Sequence, residues 1–132
     1  MRYMVTQYTQ AQYELLESWW HFHQAPSMPM ASIPETSYFS CSEAGEPLAF
    51  VSLYLTNSNI AWGETLVTRP NLPREERKQA VAEVLSHIKM VCAQMELVLL
   101  ALSDSASVNF HLEKAGFTKD SKGYYLHSIS NG

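Results

Sequence analysis

The sequence predicts an α+β fold: a mixed, mostly antiparallel sheet of about six to seven strands with helices on both faces. Three observations lead to this prediction. Short β-like segments follow one another in the first half and are separated by tight turns. A long amphipathic segment then precedes a continuous apolar run, which is typical of a helical crossover to a parallel strand. Two more short β-like segments close the chain as a hairpin.

The length and net charge of the chain restrict the classes of protein to which it can belong. The chain has 132 residues and a net charge of −4, which fits one domain over residues 1–132 and argues against non-specific nucleic-acid binding. No apolar run reaches the roughly 18 residues of a membrane span, and no apolar leader is visible. We therefore expect a cytoplasmic protein in which Cys41 and Cys92 are reduced thiols. The oligomeric state is left open, a homodimer included.

The first half reads as a strand, a helix, a proline-rich loop and a three-strand meander. Leu16 and Trp20 recur at helical spacing. Pro26, Pro29 and Pro34 exclude a regular helix or a central strand from the loop. The predicted bounds are Arg2–Thr6 for the strand, Gln10–Phe22 for the helix, Gln24–Thr36 for the loop, and Tyr38–Glu43, Leu48–Thr56 and Ile60–Val67 for the meander.

The second half contains the longest predicted helix, in which Val81, Val84, Leu85 and Ile88 share one face. Gly116 stands where a helix ends in a left-handed residue. Because the long helix is a crossover, the strands before and after it should be parallel. The predicted elements are a helix over Arg74–Met95, a strand over Glu96–Leu102, a helix over Ser105–Ala115, and a hairpin of Phe117–Asp120 and Tyr124–Ile129.

Three local patterns carry a resemblance to a known superfamily. The strand Ile60–Val67 leads into a polar loop and the long helix, near whose start stands Arg77-Lys-Gln-Ala-Val-Ala82. Phe110-His-Leu-Glu-Lys-Ala-Gly-Phe117 closes the last helix. With the element order, these patterns resemble the GNAT N-acetyltransferase superfamily, whose pyrophosphate signature is Arg/Gln-x-x-Gly-x-Gly/Ala and whose last helix ends in Phe-Tyr-Glu-Lys-x-Gly-Phe. The chain looks like a degenerate member, and Leu53–Ala61 is also similar to small GNAT-like proteins encoded by tailed phages.

The resemblance implies acetyl-CoA as the co-substrate. Its diphosphate would lie against the amides around Gln79, and the backbone of two strand residues would hold the pantetheine arm. The start of the helix has no i, i+4 ion pair, which favours an anion site over a solvated helix face. The implied cofactor-binding residues are Leu66, Val67, Arg77, Lys78, Gln79, Ala80, Val81, Ala82 and Asn109.

Two positions depart from the family's pattern. Ala80 replaces the first glycine of the signature, and its methyl group would narrow the approach of a phosphate. Leu112 occupies the position of the tyrosine that often protonates the departing thiolate, and leucine cannot donate a proton. His111, Tyr124 and Tyr125 are the substitutes that the sequence offers, with packing or a surface role as the alternative for each.

Glu64 is the candidate general base, because the resemblance brings its strand to the acceptor amine. Burial beside Trp62 or Leu66 would suit that role, and an edge-exposed or salt-bridged glutamate is the alternative. Met28 and Met30 belong either to a substrate lid or to a cap on the core.

The spacing of residues gives little support for a metal site or for nucleophilic catalysis. His21 and His23 are two residues apart and do not share a helical face, and no Cys/His spacing matches a zinc site. No Gly-x-Ser-x-Gly nucleophile motif is present. We expect the tryptophans to fill a core: Trp19, Trp20 and Trp62.

Two functional hypotheses follow. In the first, the protein is an acetyl-CoA-dependent N-acetyltransferase that acts on an amine of a small molecule or a protein by direct transfer. In the second, a GNAT-like fold has lost the chemistry and serves as a binding or virion-associated protein. Ala80 and Leu112 motivate the second hypothesis, and the cations at the helix start motivate the first.

Overall fold

The computed structural model describes residues 2–103, 106–119 and 125–129. In these ranges the chain forms seven strands and three α-helices, in the order predicted from the sequence. The helices are α1 (Tyr13–Phe22), α2 (Arg74–Gln94) and α3 (Ala106–Lys114). The strands are β1 (Met4–Gln7), β2 (Ser37–Cys41), β3 (Pro47–Leu55), β4 (Ile60–Thr68), β5 (Val98–Ser103), β6 (Thr118–Lys119) and β7 (Tyr125–Ile129).

The strands form one mixed sheet in the order β1-β2-β3-β4-β5-β7-β6. The first four strands pair antiparallel with their neighbours, which confirms the predicted meander. The pairing of β4 with β5 is parallel, as expected from the crossover helix. The closing hairpin pairs antiparallel, with β7 lying between β5 and β6. The α+β class with a mixed, mostly antiparallel sheet is therefore confirmed.

Helices cover both faces of the sheet and divide the core in two. α2 and α3 cover one face, where Ala49, Val51 and Leu53 of β3 contact the apolar side of α2. α1 covers the other face, where Phe50 belongs to an aromatic cluster. This alternation follows from the two-residue period of a strand. The members of the second cluster, called the α1-side core below, are Tyr8, Leu16, Trp19, Trp20, Phe39, Cys41 and Phe50.

Gly63 lets α2 lie close to the sheet. A Cβ built at this position would be 3.0 Å from Ile88 Cδ1 and 3.5 Å from Leu99 Cδ1. A larger side chain would push the helix away from β4. The glycine inside β4 therefore allows close packing of α2, at Ile88 in the C-terminal half of the helix, against the strand that forms the candidate site.

Gly116 ends α3 in the left-handed conformation expected of it, with φ of +98°. The amide of Phe117 then donates to the carbonyl of Leu112 at 3.0 Å. This arrangement turns the chain from α3 into the closing hairpin.

Cys41 and Cys92 are both buried as free thiols, and burial raises the pKa of Cys92. Within the ranges described above, no set of three or more His, Cys, Asp or Glu side chains is arranged to hold a metal ion. The helices of the same ranges include none with the length and apolar character needed to cross a membrane.

Candidate functional site

β4 and β5 separate halfway along β4. They are paired from Ile60 with Val98 to Gly63 with Ala101, whereas β4 continues beside β3 as far as Thr68. Beyond Gly63, the edge of β4 faces a gap instead of a partner among the described strands. Backbone N–H and C=O groups on such an edge are available to a ligand.

A β-bulge lies in β4 at this separation. Phe50 pairs with Val67 but Ser52 pairs with Glu64, so β4 has one residue more than β3 between these pairs. Thr65 has φ of 63°, a left-handed conformation that is unfavourable for a β-branched residue. Bulges redirect side chains and occur next to functional sites. Glu64 lines one cavity, whereas the four consecutive residues 65–68 all line another, which a regular strand with alternating side chains would not give.

The gap opens into a cavity of about 710 Å³, called the large cleft below. Four parts of the chain form its walls: the end of α1 with the loop after it, β4 beyond the bulge, the first turns of α2, and α3. The lining includes Met28, Leu66, Val67, Arg77, Val81 and His111. The cleft therefore lies where the sheet edge and two helices meet.

The ionisable lining of the large cleft is basic. Arg77, His23 and His111 contribute to it, and none of its described lining residues is acidic. His23 Nε2 donates to the Thr68 carbonyl at 2.8 Å, which fixes its ring against β4. Burial lowers the pKa of His111, and the cations of Arg77, Lys114 and Lys78 lower it further. A cavity lined in this way attracts an anionic ligand.

Four of the residues expected to bind the cofactor line the large cleft: Leu66, Val67, Arg77 and Val81. Lys78 and Ala82 instead line a second cavity of about 240 Å³ between α2 and α3, together with Lys89, Lys114 and His111. Gln79 is exposed, and its side chain donates to Glu83 at 3.1 Å. The residues of α2 that were predicted to bind the cofactor therefore do not share one face. Some line the large cleft, some line the second cavity, and Gln79 is exposed to solvent.

The expected obstruction by the Ala80 methyl group is not found. Ala80 is 0% exposed, and its side chain belongs to the core between α2 and the sheet. Its carbonyl accepts a hydrogen bond from Ser40 Oγ at 2.7 Å. Because the methyl group points into the core, a glycine at this position would leave the large cleft unchanged.

The amides around Gln79 are not available to a ligand, contrary to the expectation. α2 begins at Arg74, and the Arg77 amide already donates to the Pro73 carbonyl at 2.9 Å. Later amides donate within the helix, so those without an intrahelical partner belong to the first turn. The charged residue that α2 contributes to the large cleft is therefore Arg77, beside the apolar Val81.

Lys78 has an acidic neighbour at a spacing of three residues rather than four. Its Nζ lies 3.8 Å from Glu75 Oε1, three residues earlier in the helix, and Glu75 is largely exposed. A pair with one solvated partner contributes little to stability. The charge of Lys78 is thus only weakly neutralised.

On α3, the side chains divide between the core and the cavities. Leu112 is 3% exposed and packs in the core, so the position of the family's acid holds a core side chain. His111 lines both cavities that adjoin α3. Asn109 lies on α3 but lines neither. Tyr124 and the side chain of Tyr125 lie outside the described residues.

A separate depression, called the Glu64 groove below, lies on the other side of Met28. Its volume is about 430 Å³, and it is lined by Met28, Ser32, Tyr54, Trp62 and Glu64. Glu64 is exposed, which agrees with the edge-exposed alternative and not with burial beside Trp62 or Leu66. Among the groove's described lining residues, Glu64 is the single charged side chain.

Met28 is the wall shared by the large cleft and the Glu64 groove. Tyr13 Oη donates to the Met28 carbonyl at 2.7 Å, and Tyr54 Oη donates to the carbonyl of Ser32 at 3.0 Å. These bonds hold the proline-rich loop over β4. Met28 also packs against the α1-side core, so the core-cap interpretation applies to it, and its role in a substrate lid stays a prediction. Met30 is exposed and lines neither cavity.

The large cleft is also lined by His23, Ser107 and Val108, which lie in a loop and at the start of α3 and were not predicted from the sequence. No motif marks these positions. The expectation that all three tryptophans fill a core is wrong for Trp62, which is half-buried and outside both core clusters. Strand alternation could have identified it, since Trp62 and Glu64 are two residues apart and share a face.

Comparison with known proteins identifies the fold. No protein-family model matches the sequence, and no curated protein matches it. A GNAT-family acetyltransferase from Staphylococcus aureus Mu50 superposes with a TM-score of 0.73 at 9% identity, covering 99% of this chain and 100% of that chain. A GNAT-family acetyltransferase from Bacillus anthracis gives a TM-score of 0.72 at 9% identity, with coverages of 99% and 96%.

A third similar structure contains coenzyme A. It is N-acetylglutamate synthase from Neisseria gonorrhoeae, complexed with coenzyme A and N-acetyl-glutamate. Its TM-score is 0.74 at 10% identity, and the match covers 100% of this chain and 36% of that chain. At these identities the likeness establishes the GNAT fold and leaves the activity to be argued from the site.

Proposed function

We propose that this protein is an acetyl-CoA-dependent N-acetyltransferase that transfers an acetyl group directly to an amine. One observation carries the proposal: a basic cleft at the β4–β5 separation shares the Met28 wall with a groove that contains a carboxylate. The first suits an anionic donor, and the second suits a basic acceptor. Their common wall lies where the two substrates would have to meet.

The large cleft would hold the donor. Acetyl-CoA carries a diphosphate, for which Arg77 is the cationic partner facing the cleft. The backbone of Leu66 and Val67 would hold the pantetheine arm along the β4 edge, because peptide groups there are not used by β5. Coenzyme A in a solved structure of the same fold supports this assignment.

Lys78 and Ala82 remain candidate cofactor contacts through the cavity between α2 and α3. Lys89 and Lys114 share that cavity, so it extends the positive charge beyond the large cleft. A ligand with several phosphate groups could use both cavities, since His111 lines each of them.

Glu64 would act as the general base. Its carboxylate lies in the groove next to the wall shared with the large cleft, where it can accept the amine proton directly or through water. The amine nitrogen forms the new C–N bond as the C–S bond of the thioester breaks. Holding both reactants in adjacent sites supplies much of the rate gain of such a transfer.

The departing thiolate would take its proton from water. Leu112 is a core side chain and cannot donate one. His111 is a poor acid at pH 7, because burial and the neighbouring cations lower its pKa from an ordinary value of 6.5. The cleft does not need a dedicated acid if solvent reaches the sulfur.

A second candidate function is a non-catalytic GNAT-fold protein, for example a binding or virion-associated one. The core position of Leu112 favours it, because the family's usual proton donor is missing. Ala80 no longer supports it, since its methyl group points away from the large cleft. The phage-type resemblance of Leu53–Ala61 fits either candidate.

Calorimetric titration with coenzyme A and a thiol-release assay with acetyl-CoA separate these candidates. The proposal expects a saturable heat with coenzyme A, a higher melting temperature with acetyl-CoA, and amine-dependent release of free thiol. Heats of dilution alone would refute the donor site. Binding without thiol release over a broad panel of amines would favour the non-catalytic candidate.

A further inference from the structure

Trp62 is an aromatic side chain without a packing role in either core. It is half-buried, it belongs to neither core cluster, and no ring pair found in the described part of the chain includes it. Burying a tryptophan would stabilise the fold, so leaving one in an open groove forgoes that gain. A ligand in the groove could cover the part of Trp62 that the protein leaves exposed.

Tyr54 and Glu64 surround Trp62 on the same face of the sheet. Tyr54 is the direct antiparallel partner of Trp62, and Glu64 pairs with Ser52 two residues further along the same strands. Directly paired residues have Cβ atoms about 5 Å apart. Two aromatic rings and a carboxylate thus line one groove, and the hydrogen bond from Tyr54 Oη to the Ser32 carbonyl holds one of the rings.

Such a groove favours an organic cation. An ammonium group is attracted to the faces of Trp and Tyr and to a carboxylate. No described residue that lines the groove carries a positive charge, so a ligand carboxylate would find no partner and would be repelled by Glu64. The flexible thioether of Met28 can pack against an apolar body of varied shape.

We propose that the acceptor is a small primary amine on an apolar or aromatic body without a carboxylate, and that Trp62, Tyr54 and Glu64 determine this specificity. This inference rests on the proposed function for the reaction but not for the binding. The groove volume of about 430 Å³ lies in the range of small-molecule sites, ~300–1,000 Å³. The charge of the groove is opposite to that of the large cleft, which keeps donor and acceptor in separate sites.

A ligand that cannot be acetylated tests the binding by itself. Phenethyltrimethylammonium has the cation and the aromatic body but no N–H group. We expect it to bind the wild-type protein in a calorimetric or NMR titration at least threefold more tightly than 2-phenylethanol, with 3-phenylpropionate weaker still. Equal affinity for the cation and the alcohol, or tighter binding of the carboxylate, would overturn the proposal.

Variants locate the binding. Trp62→Leu should weaken the phenethyltrimethylammonium complex about 3- to 30-fold, and Trp62→Phe should restore part of the loss because it keeps an aromatic face. Glu64→Gln should weaken it about threefold, as expected for a partly solvated charge pair. Glu17→Gln, which removes a carboxylate from the exposed side of α1, should have no effect. An unchanged affinity in Trp62→Leu would refute the site.

Coenzyme A binding, measured on the same samples, separates the two proposals and also reports folding. If coenzyme A binds and thiol is released with other amines while phenethyltrimethylammonium does not bind, the acceptor class is wrong and the enzyme assignment stands. If phenethyltrimethylammonium binds through Trp62 and coenzyme A does not bind, the cation site stands and the enzyme assignment fails.

Discussion

The large cleft and the Glu64 groove share the Met28 wall but differ in charge. The cleft has Arg77, His23 and His111 and no acidic group among its described lining residues. The groove has Glu64 and no basic group among its own. This difference in charge suits the proposed transfer from an anionic donor in the large cleft to a basic acceptor in the Glu64 groove.

A single irregularity separates these regions. The bulge at Thr65 sends Glu64 into the groove and the following residues into the cleft. In a regular strand, successive side chains face opposite sides of the sheet, whereas the four consecutive residues 65–68 all line the large cleft. The bulge therefore creates neighbouring sites of different chemistry from one segment of β4.

Removing the charge of the groove should have the largest effect. Glu64→Gln deletes the general base, and we expect kcat to fall about 100-fold, at the lower end of such contributions because the carboxylate is exposed. The Kd for coenzyme A should not change, since Glu64 does not line the cleft. Thiol release and calorimetry measure the two quantities, with Glu17→Gln as the control. A kcat within twofold of the wild type would remove Glu64 from the mechanism.

Reversing the charge of Arg77 in the large cleft should have the second-largest effect. Arg77→Glu replaces the cation that faces the cleft, and coenzyme A should bind roughly 10- to 100-fold more weakly, the range for a lost charge-assisted hydrogen bond. Arg74→Glu is the matched control, because Arg74 is exposed on the first turn of α2 and does not line the cleft. Similar losses in both variants would mean that general attraction, rather than a contact of Arg77, accounts for the affinity.

Ala80→Gly tests whether the side chain at this motif position contributes to the core or to cofactor binding. It removes a buried methyl group and puts glycine inside a helix, so the free energy of unfolding should fall by about 1–2 kcal/mol. The affinity for coenzyme A should stay within about twofold, because the side chain faces the core. Urea unfolding and calorimetry give the two values. A large gain in affinity would revive the view that the methyl group obstructs the cleft.

The smallest expected effect is a dependence on pH. The folded-state pKa of His111 is below its ordinary value of 6.5, so its neutral form stabilises the fold above that pH. This stability is lost as the pH falls through the lower folded-state pKa. His87, whose pKa is lowered by burial, contributes with the same sign. Urea unfolding between about pH 5 and 8 should show the fall.

Variants assign this pH dependence to a residue. His111→Gln should reduce the loss of stability at low pH, whereas His21→Gln, on the exposed side of α1, should not. Coenzyme A should also bind more tightly at about pH 6 than at pH 8, because an anion in the cleft favours the protonated imidazole. An identical pH profile in His111→Gln and the wild type would exclude a contribution from this histidine.

The sequence predicted the order of elements, the meander, the parallel crossover and the left-handed Gly116, because these features depend on local periodicity and turn chemistry. It also identified Arg77 and Glu64 as candidates. The tertiary structure alone decided which side of α2 each motif residue occupies, so that Ala80 lies in the core while Arg77 faces the cleft.

The groove also depended on tertiary structure. Trp62 looks like a core residue in the sequence, and only the pairing of β4 with β3 and the position of the proline-rich loop leave it lining an open groove. The physical reason is that a motif specifies residue types along the chain. Charge and exposure in a cavity instead depend on which distant segments pack around it, here α1, β4, α2 and α3.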